Sequence, residues 1–197
     1  MNLLRSTPAT ALLLLTLASA AQALTLDFED LPTNGFFIDA PTGTYQGFEW
    51  NKTLDAIDIT EPGTGWGNTG PAHSGQNAIL NNYGGNGEMS LASGTFTLDS
   101  LWIRTWYGVG SREGSLLGYN QGLLVYTNAF TFGTEWTSVA GSSAELTRLV
   151  IAGGNFFLVD DITVNSSPTA PVPDGGSTIG LLGMVLTGMA WVRRKLA

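Results

Sequence analysis

Cysteine is absent from this chain, and histidine occurs once, as His73. The first gap excludes a disulfide framework, a thiol nucleophile and any zinc site built on thiolates. The second leaves no Ser/His/Asp triad with a defined third member, because the serine of "HSG" is merely the neighbour of the imidazole. A lone loop histidine of this kind is expected to be solvated or to steady a turn. Bases are scarce as well. Between Leu24 and Pro173 they are Lys52, Arg104, Arg112 and Arg148, set against every acid of the chain except Asp174. A surface with that balance repels phosphate backbones and anionic lipid, which argues against nucleic acid as a partner and is compatible with divalent cations. No phosphate-binding loop, dinucleotide fingerprint or His-Glu-x-x-His run is present, and the "GGNG" at 84–87 lacks the lysine and helix of a phosphate cradle.

Both ends read as addresses. Arg5, the apolar run 11–18 and Ala21-Gln22-Ala23 form the charged, hydrophobic and cleavage regions of a secretory signal peptide over 1–23, a substrate for signal peptidase. Between the ends, helical periodicity is nearly absent. Short β-type runs recur instead, at 24–31, 45–50, 56–60, 77–80, 94–98, 101–107, 123–132, 146–152 and 156–164, punctuated by Gly, Asn and Pro. That rhythm predicts an all-β jelly-roll sandwich over 24–165, closed so that few sheet edges are exposed. A Pro/Ser/Thr linker follows at 166–173.

Within the domain, "LTLDFEDL" stands near the start and "FLVDDITV" near the end. Strand alternation puts Asp160 and Asp161 on opposite faces, so at least one carboxylate is expected close to the core. Such a group needs partners. First and last strands that lie side by side would bring Asp27, Glu29 or Asp30 near the pair, and oxygen ligands without His or Cys suit Ca²⁺. The alternative is that Asp160 and Asp161 accept backbone N–H bonds or pair with Arg148. Opposite faces argue against their acting as a catalytic pair. Trp66, flanked by glycines in a long polar loop, and Trp106-Tyr107 before "GVGSREG" are candidate stacking platforms for a sugar ring, the alternative being that they cover the open end of the sandwich.

The tail has three parts: Val172-Pro173-Asp174-Gly175-Gly176-Ser177-Thr178, an uncharged run over 179–192, and Arg193-Arg194-Lys195. As a helix the run spans about 21 Å, short of the ~30 Å hydrocarbon core unless flanking residues extend it and the bases snorkel. A marginal transmembrane helix behind an extended turn suits transient holding.

This layout resembles the PEP-CTERM sorting signal in its VPDSG variant, over 172–197, with Gly175 where the variant has Ser. The resemblance implies processing by exosortase in a Gram-negative bacterium, transient membrane anchoring, and release to the cell surface or an exopolysaccharide matrix. The domain, through its two end motifs and "TYQGFEWN", "AHSGQNAILNN" and "GTFTLDSLWIR", more loosely resembles carbohydrate-binding-module and MAM jelly rolls. That resemblance implies structural calcium at Asp27, Glu29, Asp160 and Asp161. The reading is of an exported, non-enzymatic structural or polysaccharide-binding protein. A carbohydrate-active enzyme and an adhesin are the alternatives.

Overall fold

The computed structural model describes residues 22–33, 38–39, 44–60, 70–82, 84–106 and 109–167. Of the signal peptide expected over 1–23, residues 1–21 lie outside the described residues, while Gln22 and Ala23 are in a strand. Of the linker expected over 166–173, residues 168–173 lie outside them, while Ser166 and Ser167 end a strand. The sorting motif, the transmembrane run and the basic end lie wholly outside. Among those described, thirteen strands follow in order: β1 (Gln22–Leu26), β2 (Ile38–Asp39), β3 (Thr44–Tyr45), β4 (Phe48–Trp50), β5 (Leu54–Asp58), β6 (Asn77–Asn81), β7 (Gly87–Leu91), β8 (Thr95–Thr105), β9 (Arg112–Asn120), β10 (Leu123–Phe132), β11 (Thr137–Leu146), β12 (Arg148–Ala152) and β13 (Phe157–Ser167). They form two antiparallel sheets. The larger runs β11-β8-β13-β6-β5-β2, with β1 also on β13, and the smaller runs β10-β9-β12-β7-β4-β3. The all-β sandwich is therefore what the chain adopts.

Apolar alternation explains the stacking. Phe48, Met89, Leu116, Leu149 and Ile151 of the smaller sheet face Ala56, Ile79, Phe96, Leu98, Ile103, Val159 and Ile162 of the larger, all buried. Each such side chain contributes about 1.5–3 kcal/mol relative to exposure. Ile57, Leu80 and Leu158 alternate with these on the opposite face, where they join Ile59, Ala72 and Ala78 in a second cluster. The segment around Ala72 thus lies across the outer face of the larger sheet.

Four strands were not anticipated: β2, β7, β9 and β11. The glycines of β7, β9 and β11 (Gly87, Gly114, Gly118 and Gly141) are packing positions. A Cβ at Gly118 would stand 2.6 Å from the Leu146 side chain, and one at Gly141 would stand 2.0 Å from the Leu98 carbonyl oxygen.

Strand β13 changes partner half-way. β6 pairs with Leu158 and Val159, and β1 pairs with Ile162 to Ser166. Between them the ladder to β8 slips between Asp160 and Thr163, and Asp161 takes a φ of +45°. This is a β-bulge. It inverts the side-chain phase, so that Phe157 and Val159 point into the core before it and Ile162 and Val164 after it. Strict alternation along "FLVDDITV" does not hold.

Register also sorts the loops into two ends. At one, Gln22 pairs with Ser166, Thr95 with Ser167, and Leu123 with Asn120, and Thr147 joins Leu146, opposite Phe96, to Arg148, opposite Tyr119. The first strand therefore begins, and the last strand finishes, at that end. At the other end, Thr105 pairs with Phe157 and Phe132 with Arg112, which gathers Trp106, residues 109–111 and the loops 133–136 and 153–156.

Candidate functional site

The partner change in β13 leaves a gap between the end of β1 and the start of β6, and carboxylates fill it. The bulge turns Asp160 and Asp161 toward one segment. Asp160 Oδ2 accepts the backbone N–H of His73 (2.9 Å) and of Ser74 (3.1 Å), and its Oδ1 accepts the N–H of Asp161 (2.8 Å). Asp161 Oδ2 lies 2.5 Å from His73 Nδ1, and its Oδ1 accepts the Ser74 hydroxyl at 2.8 Å. From the other side Glu29 accepts the N–H of Gln76 (2.9 Å) and of Asn77 (2.7 Å). Asn77 completes the tie by donating from Nδ2 to the carbonyls of Phe28 and Leu31. Residues 73–77 are clamped between the first and last strands. The electrostatics follow from burial: Asp160 is fully inaccessible, and desolvation pushes its carboxyl up to about 7, outweighing the opposite pull of the N–H donors.

His73, expected to be solvated or to steady a turn, is half-buried and packed between rings. Its ring stacks on Trp102 at 3.8 Å and meets Trp136 edge-on at 5.9 Å. Beside it the Arg104 guanidinium, 5% exposed, lies 5.3 Å from the Trp136 ring, and Trp136 Nε1 donates to the Pro71 carbonyl. Burial lowers the Arg104 pKa from its ordinary value. Sequence reasoning missed this cluster because its members lie far apart in the chain.

The expected site residues fare differently. Asp160, Asp161 and Glu29 converge on one segment, whereas Asp27 accepts the N–H of Glu29 (3.3 Å) and Asp30 accepts the Tyr45 hydroxyl (2.8 Å). Arg148 pairs with Glu88 at 3.1 Å and lies over the Tyr119 ring, away from the aspartates. Among the described residues no three His, Asp or Glu side chains are arranged to hold a metal ion. Each oxygen of Asp160, Asp161 and Glu29 already faces an N–H or O–H donor, so these carboxylates have partners without an ion. Trp106 packs against the outer apolar cluster. Trp66, Tyr107, the sorting-motif residues Val172 to Thr178 and Arg193 to Lys195 lie outside the described residues.

One ring at the loop-rich end escaped the sequence reading. Phe156 precedes β13, is 36% exposed, and holds a φ of +60°. That conformation is costly for a bulky side chain. It is fixed from both sides: the Phe156 N–H donates to the Asn81 carbonyl (3.0 Å), and its carbonyl accepts the Trp106 N–H (2.9 Å). Arg112 braces the preceding turn, donating to the carbonyls of Gly153 and Asn155. The result is an outward aromatic ring on an over-determined backbone.

These features define an all-β sandwich module with a partly exposed ring at one end, and with the start of the first strand and the finish of the last at the other. Its tail is specific: residues 171–196 match the VPDSG-CTERM motif, so the chain carries a PEP-CTERM-type sorting signal. No curated protein matches the chain. Among solved structures it is similar to the N-terminal CBM22-1-CBM22-2 tandem domain from Paenibacillus barcinonensis Xyn10C, at 15% identity and a TM-score of 0.43, over 82% of this chain and 50% of that one. The chain thus spans half the length of that tandem domain. It is also similar to the single CBM22-1 xylan-binding domain of the same protein (14% identity, TM-score 0.43, 78% of this chain and 99% of that one). A third likeness is to TmCBM61 in complex with β-1,4-galactotriose (15% identity, TM-score 0.39, 72% and 99%). These likenesses are distant, and the sandwich described above rests on its own strand pairing.

Proposed function

We propose that this is an exported, non-catalytic module that binds a neutral polysaccharide through the end bearing Phe156, and that exosortase processes its tail. The observation that carries the reading is Phe156 itself: an exposed ring held in a strained conformation by hydrogen bonds on both sides. Strain that the surroundings enforce is characteristic of binding positions. A flat apolar ring held rigid stacks on the C–H face of a pyranose at small entropic cost. The Asn, Gly and Ser residues of the flanking loops supply amide and hydroxyl partners for sugar hydroxyls. The acidic surface favours neutral chains over uronates.

We further infer that Glu29, Asp160 and Asp161 act as an ion-free clamp, in place of the calcium role the resemblance implies. Retention of the full chain on a panel of immobilised neutral and acidic polysaccharides tests the binding reading, with Phe156→Ala beside the parent. Intact mass of the protein from a native surface fraction tests the processing.

A further inference from the structure

The hairpin joining β9 and β10 is unlike the rest of the domain. From Gly114 to Thr134 it contains no charged residue, although the chain around it is strongly acidic and Glu113 and Glu135 bracket it. At its tip Gln121 and Gly122 both have positive φ, which makes the tight turn that matches strand twist. Three consecutive apolar residues follow, with Leu123 72%, Leu124 55% and Val125 46% exposed. The ladder shifts between Leu124 and Tyr126, so Val125 is the extra residue of a bulge and all three side chains stay out of the core. Further along β10 the free edge is engaged, since Tyr126 Oη and Asn128 Nδ2 both donate to the Ala140 carbonyl on β11. Only the tip is left open. An exposed apolar cluster on an uncharged hairpin marks a contact surface, and the ion pair of Arg148 and Glu88 lies beyond Tyr119, the partner of Leu124.

Its position names the occupant. The tip lies at the end of the sandwich where β13 finishes at Ser167, and the chain beyond that point contains the uncharged run 179–192 and its basic end. The eleven residues 168–178 reach at most about 40 Å when extended. Of the two ends of the domain, this is the one that a tail held in a bilayer tethers within that distance of the lipid. We propose that Leu123, Leu124 and Val125 rest in the interfacial region of a neutral lipid surface while the tail is membrane-held. This inference builds on the membrane-held tail of the proposed function. Three side chains alone bind lipid weakly, and tethering supplies the local concentration that makes the contact persistent. Released from the tail, the domain leaves the surface, so the same hairpin that orients the protein does not retain it.

The absence of cysteine permits single-site labelling of the full chain. Leu124→Cys and Leu123→Cys at the tip, and Glu135→Cys at the opposite end, each carry a polarity-sensitive fluorophore, and each protein is reconstituted into phosphatidylcholine vesicles containing a lipid-borne quencher. Flotation with the vesicles establishes that the tail is inserted. The expected result is flotation of all three proteins, with quenching at both tip positions several-fold stronger than at position 135. Flotation with equal, weak quenching at all three positions overturns the tip contact and leaves the tail reading standing. Failure to float overturns the tail reading and this inference with it. A spectral shift at the tip that grows with protein concentration without vesicles assigns the tip to a second copy of the chain, which also overturns it.

Discussion

Asp161 Oδ2 stands 2.5 Å from His73 Nδ1, while Asp160, the residue before it in the same strand, accepts the His73 backbone N–H at 2.9 Å. Neighbours in a regular strand cannot serve one residue in this way. The bulge at Asp161 allows it, and it arises where β13 exchanges β6 for β1. The pair therefore closes the seam between the chain's first and last strands by holding the segment that crosses it.

The seam makes stability depend on pH in an unusual direction. Asp160 keeps its proton up to about pH 7 in the folded protein, whereas the unfolded chain releases it near 3.8. Between those values the folded state binds more protons, so this group's contribution is full below about pH 3.8 and is lost as pH rises through 7. The slope is at most about 1.4 kcal/mol per pH unit. Urea unfolding at several pH values is expected to show that Asp160→Asn removes a downward slope present in the parent between pH 4 and 7. Identical slopes in the two proteins contradict the assignment.

Glu29 reaches its partners across Gly75, which has a φ of +53°. A Cβ there would stand 2.1 Å from the Glu29 carboxyl carbon. Gly75→Ala is expected to destabilise the domain by about 1–3 kcal/mol, through strain and through displacement of the carboxylate from two backbone donors. In a Glu29→Ala background the same change should cost less, because the collision is gone. Strict additivity of the two in a double-mutant cycle would show that Glu29 does not hold the segment.

Calcium gives a clean contrast. Because the oxygens of Asp160, Asp161 and Glu29 already accept N–H and O–H bonds, calorimetry is expected to give the same melting temperature in chelator and in millimolar Ca²⁺. A rise of several degrees with calcium would return these carboxylates, with Asp27, to the ion-binding role that the family resemblance implies.

Strain at Phe156 predicts a separation of stability from binding. Phe156→Gly relieves a left-handed conformation worth about 1–2 kcal/mol that Phe156→Ala keeps, while both variants lose the same ring, which is 36% exposed and otherwise covered. In urea unfolding the Gly variant is expected to be about 1 kcal/mol more stable than the Ala variant, although neither binds through a ring. Equal stability of the two variants would mean that the backbone there is not strained.

Much of this was legible in the sequence. Gly/Asn/Pro punctuation between short apolar runs is enough to specify an all-β sandwich, and the tail motif is contiguous, so it reads directly. The pairing of the first and last strands brings Glu29, Asp160 and Asp161 to one segment, while Asp27 and Asp30 serve other partners. Their arrangement was not legible, because the bulge at Asp161 depends on a change of strand partner that leaves no local mark. His73 pairs with groups nearly ninety residues away, and only the folded sheet brings Trp102 and Trp136 to it. Phe156 looked like one more strand residue. Its positive φ is set by Asn81 and Trp106, both remote in the chain.

The most direct test of the account is retention of the full chain on immobilised neutral polysaccharides, parent against Phe156→Ala, with the fold of both verified by near-ultraviolet circular dichroism. The account predicts that the parent is retained on at least one neutral polysaccharide and that the variant binds it about tenfold more weakly or worse, as expected of an anchoring aromatic. Equal retention of the two proteins, or no retention of the parent on any member of the panel, would contradict it.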